Sequence, residues 1–332
     1  MSIPKPRSTA VTVLALACIA GCGAENVPSM LQPAGTGAER IASLWWLMLG
    51  LSIGVFLLVV LLLGYALFHQ GNQRDEVPSR TSMALIFGGG AALPLLVIPA
   101  LFVLTLITMS ALAPTEDAEA LTVQVTGHQF WWEVEYPDHG VVTANEIRIP
   151  AGEPVRLEVT SADVIHSFWV PELQGKIDMI PGRTNVTFID AAEPGAYRGL
   201  CAEFCGVQHA LMQLHVIAEP RDEFADWLKR QSAPATEADS ALARRGEAIF
   251  MATGCAACHS IQGTGADADT GPDLTHLISR TSLAAGVLPT TRDNVREWIR
   301  NPQGVKPGNL MPAMEFDEDE WDALVEYLTG LD

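Results

Sequence analysis

The sequence predicts a multidomain membrane protein: a two-helix transmembrane hairpin, then an all-β sandwich, then an all-α domain. Three observations carry this. Ser43 to Phe68 and Ser82 to Leu112 hold no charged residue, and each run exceeds the ~20 residues a helix needs to cross the hydrocarbon core. From Ala120 to Glu219, β-rich runs such as 121–125, 145–149 and 155–159 are separated by Pro, Gly and Asp/Asn turns, the spacing of an antiparallel sandwich or barrel. Beyond residue 240, Ala241 to Thr253 and Asp319 to Leu328 read as helices, the second with Trp321, Leu324, Val325 and Leu328 at helical spacing.

The chain has 332 residues, room for about two domains with additional segments. Its mean hydropathy of +0.21 is high for a soluble protein. Pro94 and Pro99 fall in the second apolar run, where a membrane helix tolerates them. The divisions expected are a signal segment over 1–22, the hairpin over 40–112, the sandwich over 120–220, a small, polar, proline-containing linker over 230–240 and the helical domain over 241–332.

Lys5 and Arg7 precede an apolar stretch from Ala10 to Ala20, which reads as an export signal. Ile19-Ala20-Gly21-Cys22 resembles a bacterial lipobox, which implies that Cys22 is lipidated and becomes the mature N-terminus in membrane lipid. The expected topology places the loop 69–81, with Arg74 and Arg80, in the cytoplasm. Everything after Leu112 then lies on the outer, periplasmic side of a bacterial inner membrane.

Charge is divided unevenly. Residues 1–112 hold five Lys/Arg and four Asp/Glu, so the remainder carries about −20 of the total −19. An acidic exposed portion excludes nucleic acid as a partner and suits a basic protein steered in by the field.

Of six cysteines, Cys18 lies in the signal and Cys22 in the lipobox, leaving the pairs Cys201/Cys205 and Cys255/Cys258. An exported protein could close such pairs as disulfides, but the flanking residues point elsewhere. Between Cys201 and Met212 the chain packs two thiols, the His209 imidazole and a thioether, and His166 lies upstream in His166-Ser167-Phe168-Trp169-Val170-Pro171. Soft sulfur with imidazole suits copper, and the thioether argues against zinc. Two thiolates can bridge two metals, leaving one histidine for each. His128, His139 and His215 are read as core histidines.

The second pair lies in Cys255-Ala256-Ala257-Cys258-His259, the covalent attachment motif for c-type haem. His259 is placed to ligate iron, and the Pro272 carbonyl to orient its ring. Pro307-Gly308-Asn309-Leu310-Met311-Pro312 resembles the axial-methionine loop of class I cytochromes c, which makes Met311 the sixth ligand, with Met314 its competitor. His/Met ligation suits electron transfer at relatively high potential.

The run H-S-F-W-V-P followed by C-x-E-x-C-G-x-x-H-x-x-M resembles the dinuclear copper (CuA) domain of cytochrome c oxidase subunit II, and the helical hairpin matches that family too. The resemblance implies a cupredoxin-like sandwich with His166, Cys201, Glu203 through its carbonyl, Cys205, His209 and Met212 as copper ligands. It also implies a magnesium ion at the Glu203 carboxylate, shared with a partner chain. Lys176-Ile177-Asp178 and Pro181-Gly182-Arg183 match the face toward subunit I. In Gly127-His128-Gln129-Phe130-Trp131-Trp132, Phe130 stands where many members carry a Trp that admits electrons from a docked cytochrome c.

Taken together, the resemblance implies subunit II of a proton-pumping haem–copper terminal oxidase of the caa type, with a class I cytochrome c domain fused at the C-terminus. Its partners would be subunit I and subunit III. The donor would be a soluble or membrane-bound cytochrome c, or an upstream quinol:cytochrome c complex. No acid–base or nucleophilic constellation is apparent, so the chain moves electrons and oxygen is reduced in another subunit. The alternatives are a component of a nitric-oxide or nitrous-oxide reductase, a quinol oxidase subunit, or a copper-delivery protein.

Overall fold

The computed structural model describes residues 27–68, 79–113 and 120–332. The signal segment with Cys18 and Cys22, and most of the loop 69–81, lie outside the described residues. Helix α1 (Thr36–Phe68) is followed by α2 (Ser79–Phe87), a π-helical turn (Gly88–Ala92) and α3 (Leu93–Leu112). The π turn has a local cause. Pro94 has no N–H for the carbonyl of residue 90, and three consecutive glycines let the ladder slip to the wider i→i+5 spacing, with the Leu93 N–H reaching Gly88 O.

Thr36–Phe68 and Gly88–Leu112 are each long and apolar enough to span a bilayer, with 18-residue stretches that reach mean hydropathies of 2.8 and 2.5. Their most apolar stretches are exposed, as expected of a surface that meets lipid or another chain, and the protein is membrane-anchored. The first helix starts well before its uncharged run because its first turn is bolted to the sandwich. Thr36 Oγ1 donates to Asp190 at 2.7 Å and the Ala38 N–H to Leu173 O at 3.0 Å.

Ten strands form the sandwich: β1 (Thr122–His128), β2 (Trp131–Tyr136), β3 (Val141–Ala144), β4 (Glu146–Pro150), β5 (Val155–Ser161), β6 (His166–Trp169), β7 (Ile177–Met179), β8 (Asn185–Ile189), β9 (Gly195–Cys201) and β10 (Gln213–Glu219). The sheets run β3-β2-β1-β5-β8 and β4-β10-β9-β6-β7. Strict alternation of buried and half-buried residues in β1, β2, β5 and β10 turns one face of each sheet to the core. Trp132, Tyr136, Phe168, Leu157 and Leu214 fill the space between.

The sandwich is not wholly antiparallel as expected: β1 pairs with β5 and β10 with β4 in parallel. A parallel neighbour needs a crossover connection; here β2–β4 supply it between β1 and β5, and β5–β9 between β4 and β10. Helix α4 (Arg221–Gln231) extends this unit past residue 220, burying Phe224, Trp227 and Leu228 in the same core.

The C-terminal unit contains α5 (Ala241–Ala252), α6 (Arg292–Arg300) and α7 (Glu318–Leu328). Helix α7 opens with a capping box between Asp317 and Glu320 and buries Trp321, Leu324 and Leu328 against Phe250 of α5. Residues 232–240 have no regular structure, yet they are fastened along this unit. The Ala235 N–H donates to Gln262 O at 3.0 Å, Thr236 Oγ1 to Asp332 O at 2.9 Å, and the His276 ring meets Ala233 O at 3.0 Å. Small side chains leave that backbone free to bond.

The two units are docked through buried polar groups. The Glu146 carboxylate, 4% exposed, accepts from Thr281 N and Oγ1, each at 2.5 Å, and from Ser282 N at 3.2 Å. Arg280 Nε donates to Thr143 Oγ1 at 3.2 Å, and the Gln213 N–H to Ala285 O at 3.1 Å.

Helices α5 and α7 cross where α5 has Gly246, and a Cβ there would run into the carbonyl oxygen of Ala323 and lie 2.7 Å from the Tyr327 Cβ. Alanine is the better helix former, so propensity and packing oppose each other. Gly246→Ala is expected to cost about 1–3 kcal/mol and lower the thermal midpoint of the helical unit by calorimetry. An unchanged or raised midpoint would show that the crossing yields at no cost.

Candidate electron-transfer centres

Cys201 ends β9, and its N–H bonds Met212 O at 3.1 Å where β10 begins, so the intervening residues close a loop at one end of the sandwich. β6 lies beside β9, with Phe168 opposite Cys201, and this brings His166 to the loop's base. Gly206, at φ 133° and with the Phe130 ring 3.0 Å from where a Cβ would stand, permits the turn.

The loop gathers all six predicted groups. Cys201 Sγ lies 3.8 Å from both Cys205 Sγ and His166 Nδ1, and 3.2 Å from Glu203 O. Cys205 Sγ lies 3.9 Å from His209 Nδ1 and 3.8 Å from Met212 Sδ. His166 and Met212 are wholly buried, Cys201 and Cys205 nearly so, and the Glu203 carboxylate is exposed.

Two thiols this close cannot both ionise unaided: their mutual hydrogen bond lowers the pKa of Cys201 and raises that of Cys205. The Cys201 and Cys205 thiols would both be held as thiolates by a cation bound between them. The donor set therefore fits soft metal, which Cys201 and Cys205, the His166 and His209 imidazoles, the Met212 thioether and the Glu203 carbonyl would hold. Asp163 Oδ1 sits 2.8 Å from His166 Nε2, which fixes the ring and leaves Nδ1 for the metal. Burial would raise the Asp163 pKa, but hydrogen bonds from His166 and from the N–H groups of Val164 and Gln129 hold it below the ordinary carboxylate range.

In the helical unit, Cys255, Cys258 and His259 follow α5 and line a cavity of about 570 Å³ with Met311 and Met314. Pro272 O accepts from His259 Nδ1 at 2.7 Å, so Nε2 is turned to the cavity and available to iron. Gly271 lies flat under that ring, where a Cβ would stand 2.7 Å from Cε1. Burial lowers the His259 pKa, which favours the neutral ligating form. The axial loop is held by Asn309, whose Oδ1 accepts from the Met311 N–H at 2.8 Å and whose Nδ2 donates to Pro302 O at 2.7 Å. The cavity, thiols and imidazole fit a covalently attached haem.

That cavity is shared between the units. His128, Gln129, Phe130, Trp131 and Asp163 of the sandwich form its other wall. His128 stacks on Trp131 at 4.3 Å between ring centroids, His215 is half-buried, and His139 is exposed in a 3₁₀ turn rather than in the core, because Pro137 opens that turn outside the sheet. Sequence reasoning missed Asp163, Glu146, Arg280 and Lys306. Only Lys306 had a visible signal, its place beside the Pro307-Gly308 turn.

A membrane anchor, a soft-metal loop and a haem cavity walled by both units define a two-centre electron-transfer protein. Residues 141–219 match the family described as cytochrome c oxidase subunit II, periplasmic domain, and residues 243–332 match cytochrome c. The chain is 36% identical to a cytochrome c oxidase subunit 2 of Alkalihalophilus pseudofirmus over 94% of this chain and 93% of that one. It is 32% identical to that of Bacillus sp. strain PS3 over 94% of each. A crystal structure of the periplasmic domain of cytochrome oxidase subunit II of Bradyrhizobium japonicum matches with 36% identity and a TM-score of 0.34, covering 36% of this chain and 95% of that chain. The chain belongs to the cytochrome c oxidase subunit 2 family: it is subunit II of a haem–copper oxidase with a fused cytochrome c domain, and its cofactors are dinuclear copper and haem c.

Replacing Asp163 by Asn removes the carboxylate behind His166 without changing its size. Copper affinity should fall about 10- to 100-fold, measured by titrating copper against the near-infrared absorption of the pair. Unchanged affinity would show that the ring is held by packing alone.

Proposed function

We propose that this chain carries electrons from an external cytochrome c-type donor, through its own haem site, to its copper site and on to subunit I. Bound haem c and the copper pair each supply one-electron exchange. The observation that carries this reading is the shared cavity, whose haem-binding wall and copper-domain wall belong to one chain. In it, Cys255 and Cys258 tether, His259 and Met311 ligate, and Pro272 orients the His259 ring. Met311 is preferred to Met314 because Asn309 anchors its backbone.

On the copper side, His166, Cys201, the Glu203 carbonyl, Cys205, His209 and Met212 are assigned as ligands. The exposed Glu203 carboxylate would face a partner chain, in keeping with a magnesium ion shared with subunit I. Neither site offers an open position for substrate, so the ligands hold their centres and exclude water while oxygen reduction proceeds elsewhere. The haem-binding unit has seven Lys/Arg against fourteen Asp/Glu, which suits a basic donor. The exported orientation follows from the signal segment, and subunit III completes the assembly. Residues 120–231 form the copper domain and 241–332 the cytochrome domain.

Changing Cys201 to Ser should abolish oxidase electron transfer in the assembled complex while leaving haem attached; undiminished turnover would refute the assignment. Raising the ionic strength from 10 mM to 1 M, which shortens the Debye length from about 30 to 3 Å, should slow turnover with a basic cytochrome c. A rate independent of salt would remove the acidic face as the docking site.

A further inference from the structure

Lys306 is a buried lysine with no role in either metal site as described. It is 2% exposed, and its Nζ donates to Phe130 O of the sandwich at 3.0 Å and to Ala284 O at 3.2 Å. Both acceptors are neutral carbonyls, so the full cost of burying an ammonium is not met by an opposite charge in contact. Burial lowers its pKa to about 8, against the opposing pull of Cys205, and the group is still mainly protonated at neutral pH. A pin made only for packing would be less costly without charge.

The place of this cation gives the reason. Lys306 lies in the loop that carries Met311, and that loop rests on the copper loop. The Gln208 side chain donates to Pro307 O, and Gly308 faces Val207 so closely that a Cβ would stand 2.5 Å from Val207 Cγ2. The carbonyl that Lys306 holds belongs to Phe130, whose neighbour Gln129 reaches both sides of the copper site. Gln129 Nε2 donates to Cys205 O at 2.5 Å, and the Gln129 N–H donates to the Asp163 carboxylate at 2.6 Å. Asp163 in turn holds His166. One short segment therefore joins the axial-methionine loop to Cys205 and to His166 by hydrogen bonds and covalent bonds alone.

We propose that Lys306 is the positioning residue for electron transfer between the two centres: it fastens the Met311 loop to the Gln129–Phe130 segment and holds one positive charge between haem and copper. Electron transfer weakens steeply when a bonded path is broken or lengthened, so this contact contributes to the rate beside the link from Gln208 to Pro307 O. A fixed positive charge favours the reduced, less positive state of a nearby centre, so it also raises the copper potential. This inference rests on the haem-to-copper route proposed above.

The test uses the full chain in detergent, loaded with haem and copper. Haem is photoreduced, its reoxidation is followed against the near-infrared copper absorption, and the copper potential is titrated optically. Absence of transfer in the wild-type chain would defeat the route itself, independently of Lys306. With transfer present, Lys306→Met should slow it and lower the copper potential. Lys306→Arg should restore both. Should Lys306→Met fail to take up haem, Lys306→Gln, which removes the charge and ends one bond short of the Lys306 ammonium, carries the same two readouts in the same direction. An unchanged rate, or a slowed rate with an unchanged potential, overturns the proposal.

Discussion

The docking of the haem-binding unit on the copper-binding sandwich is the constraint on which the rest depends, and buried polar groups enforce it. The Glu146 carboxylate takes three hydrogen bonds from Thr281 and Ser282, and Lys306 gives two to backbone carbonyls. Apolar surfaces can slide and repack at small cost, but a buried carboxylate or ammonium that loses its partners is left with its full desolvation penalty. These contacts therefore select one orientation. In it, the haem cavity opens against the 128–131 segment, and that segment touches the copper loop.

The same reasoning explains how the anchor and the centres form one mechanical body. The first turn of α1 is tied to Asp190 and Leu173, close to the sheet that supports His166 and Cys201. Its apolar length enters the bilayer, where backbone groups must be satisfied within the helix. The anchor thus fixes the copper loop relative to the apolar helices, and the haem-binding unit is carried with it. Acidic charge is concentrated in the exposed part, leaving the hairpin free of charges that would be costly in lipid.

Much of this was readable from the sequence because the chemistry is dense and local. Two cysteines, a histidine and a methionine within twelve residues, or C-x-x-C-H, specify a metal or haem wherever they fold. Uncharged runs specify helices in lipid for a similarly local reason. What escaped was the long-range part. The parallel β1·β5 pairing depends on a crossover between sheets, which alternation alone does not encode. Glu146 lies in an ordinary strand and acquires its role only from Thr281, 135 positions away; Asp163 is near His166 in the chain, but it sits in a turn that no motif marks. The segment 230–240 reads as a linker by composition, yet its first two residues end helix α4 and the backbone of 232–240 is bonded along the helical unit, since small residues permit close approach as readily as freedom. Phe130, where the resemblance led to the expectation of a Trp, lines the cavity that the two units share.

The most direct test of the account is the salt and concentration dependence of electron equilibration between haem and copper within the isolated chain. A docked unit predicts a single first-order phase that is unaffected by protein concentration and by ionic strength, because the contacts across the interface are buried and poorly screened. A rate that varies with salt, or several phases reporting a search through orientations, would mean that the haem-binding unit visits the copper site from a tether, and would contradict the fixed docking on which this account stands.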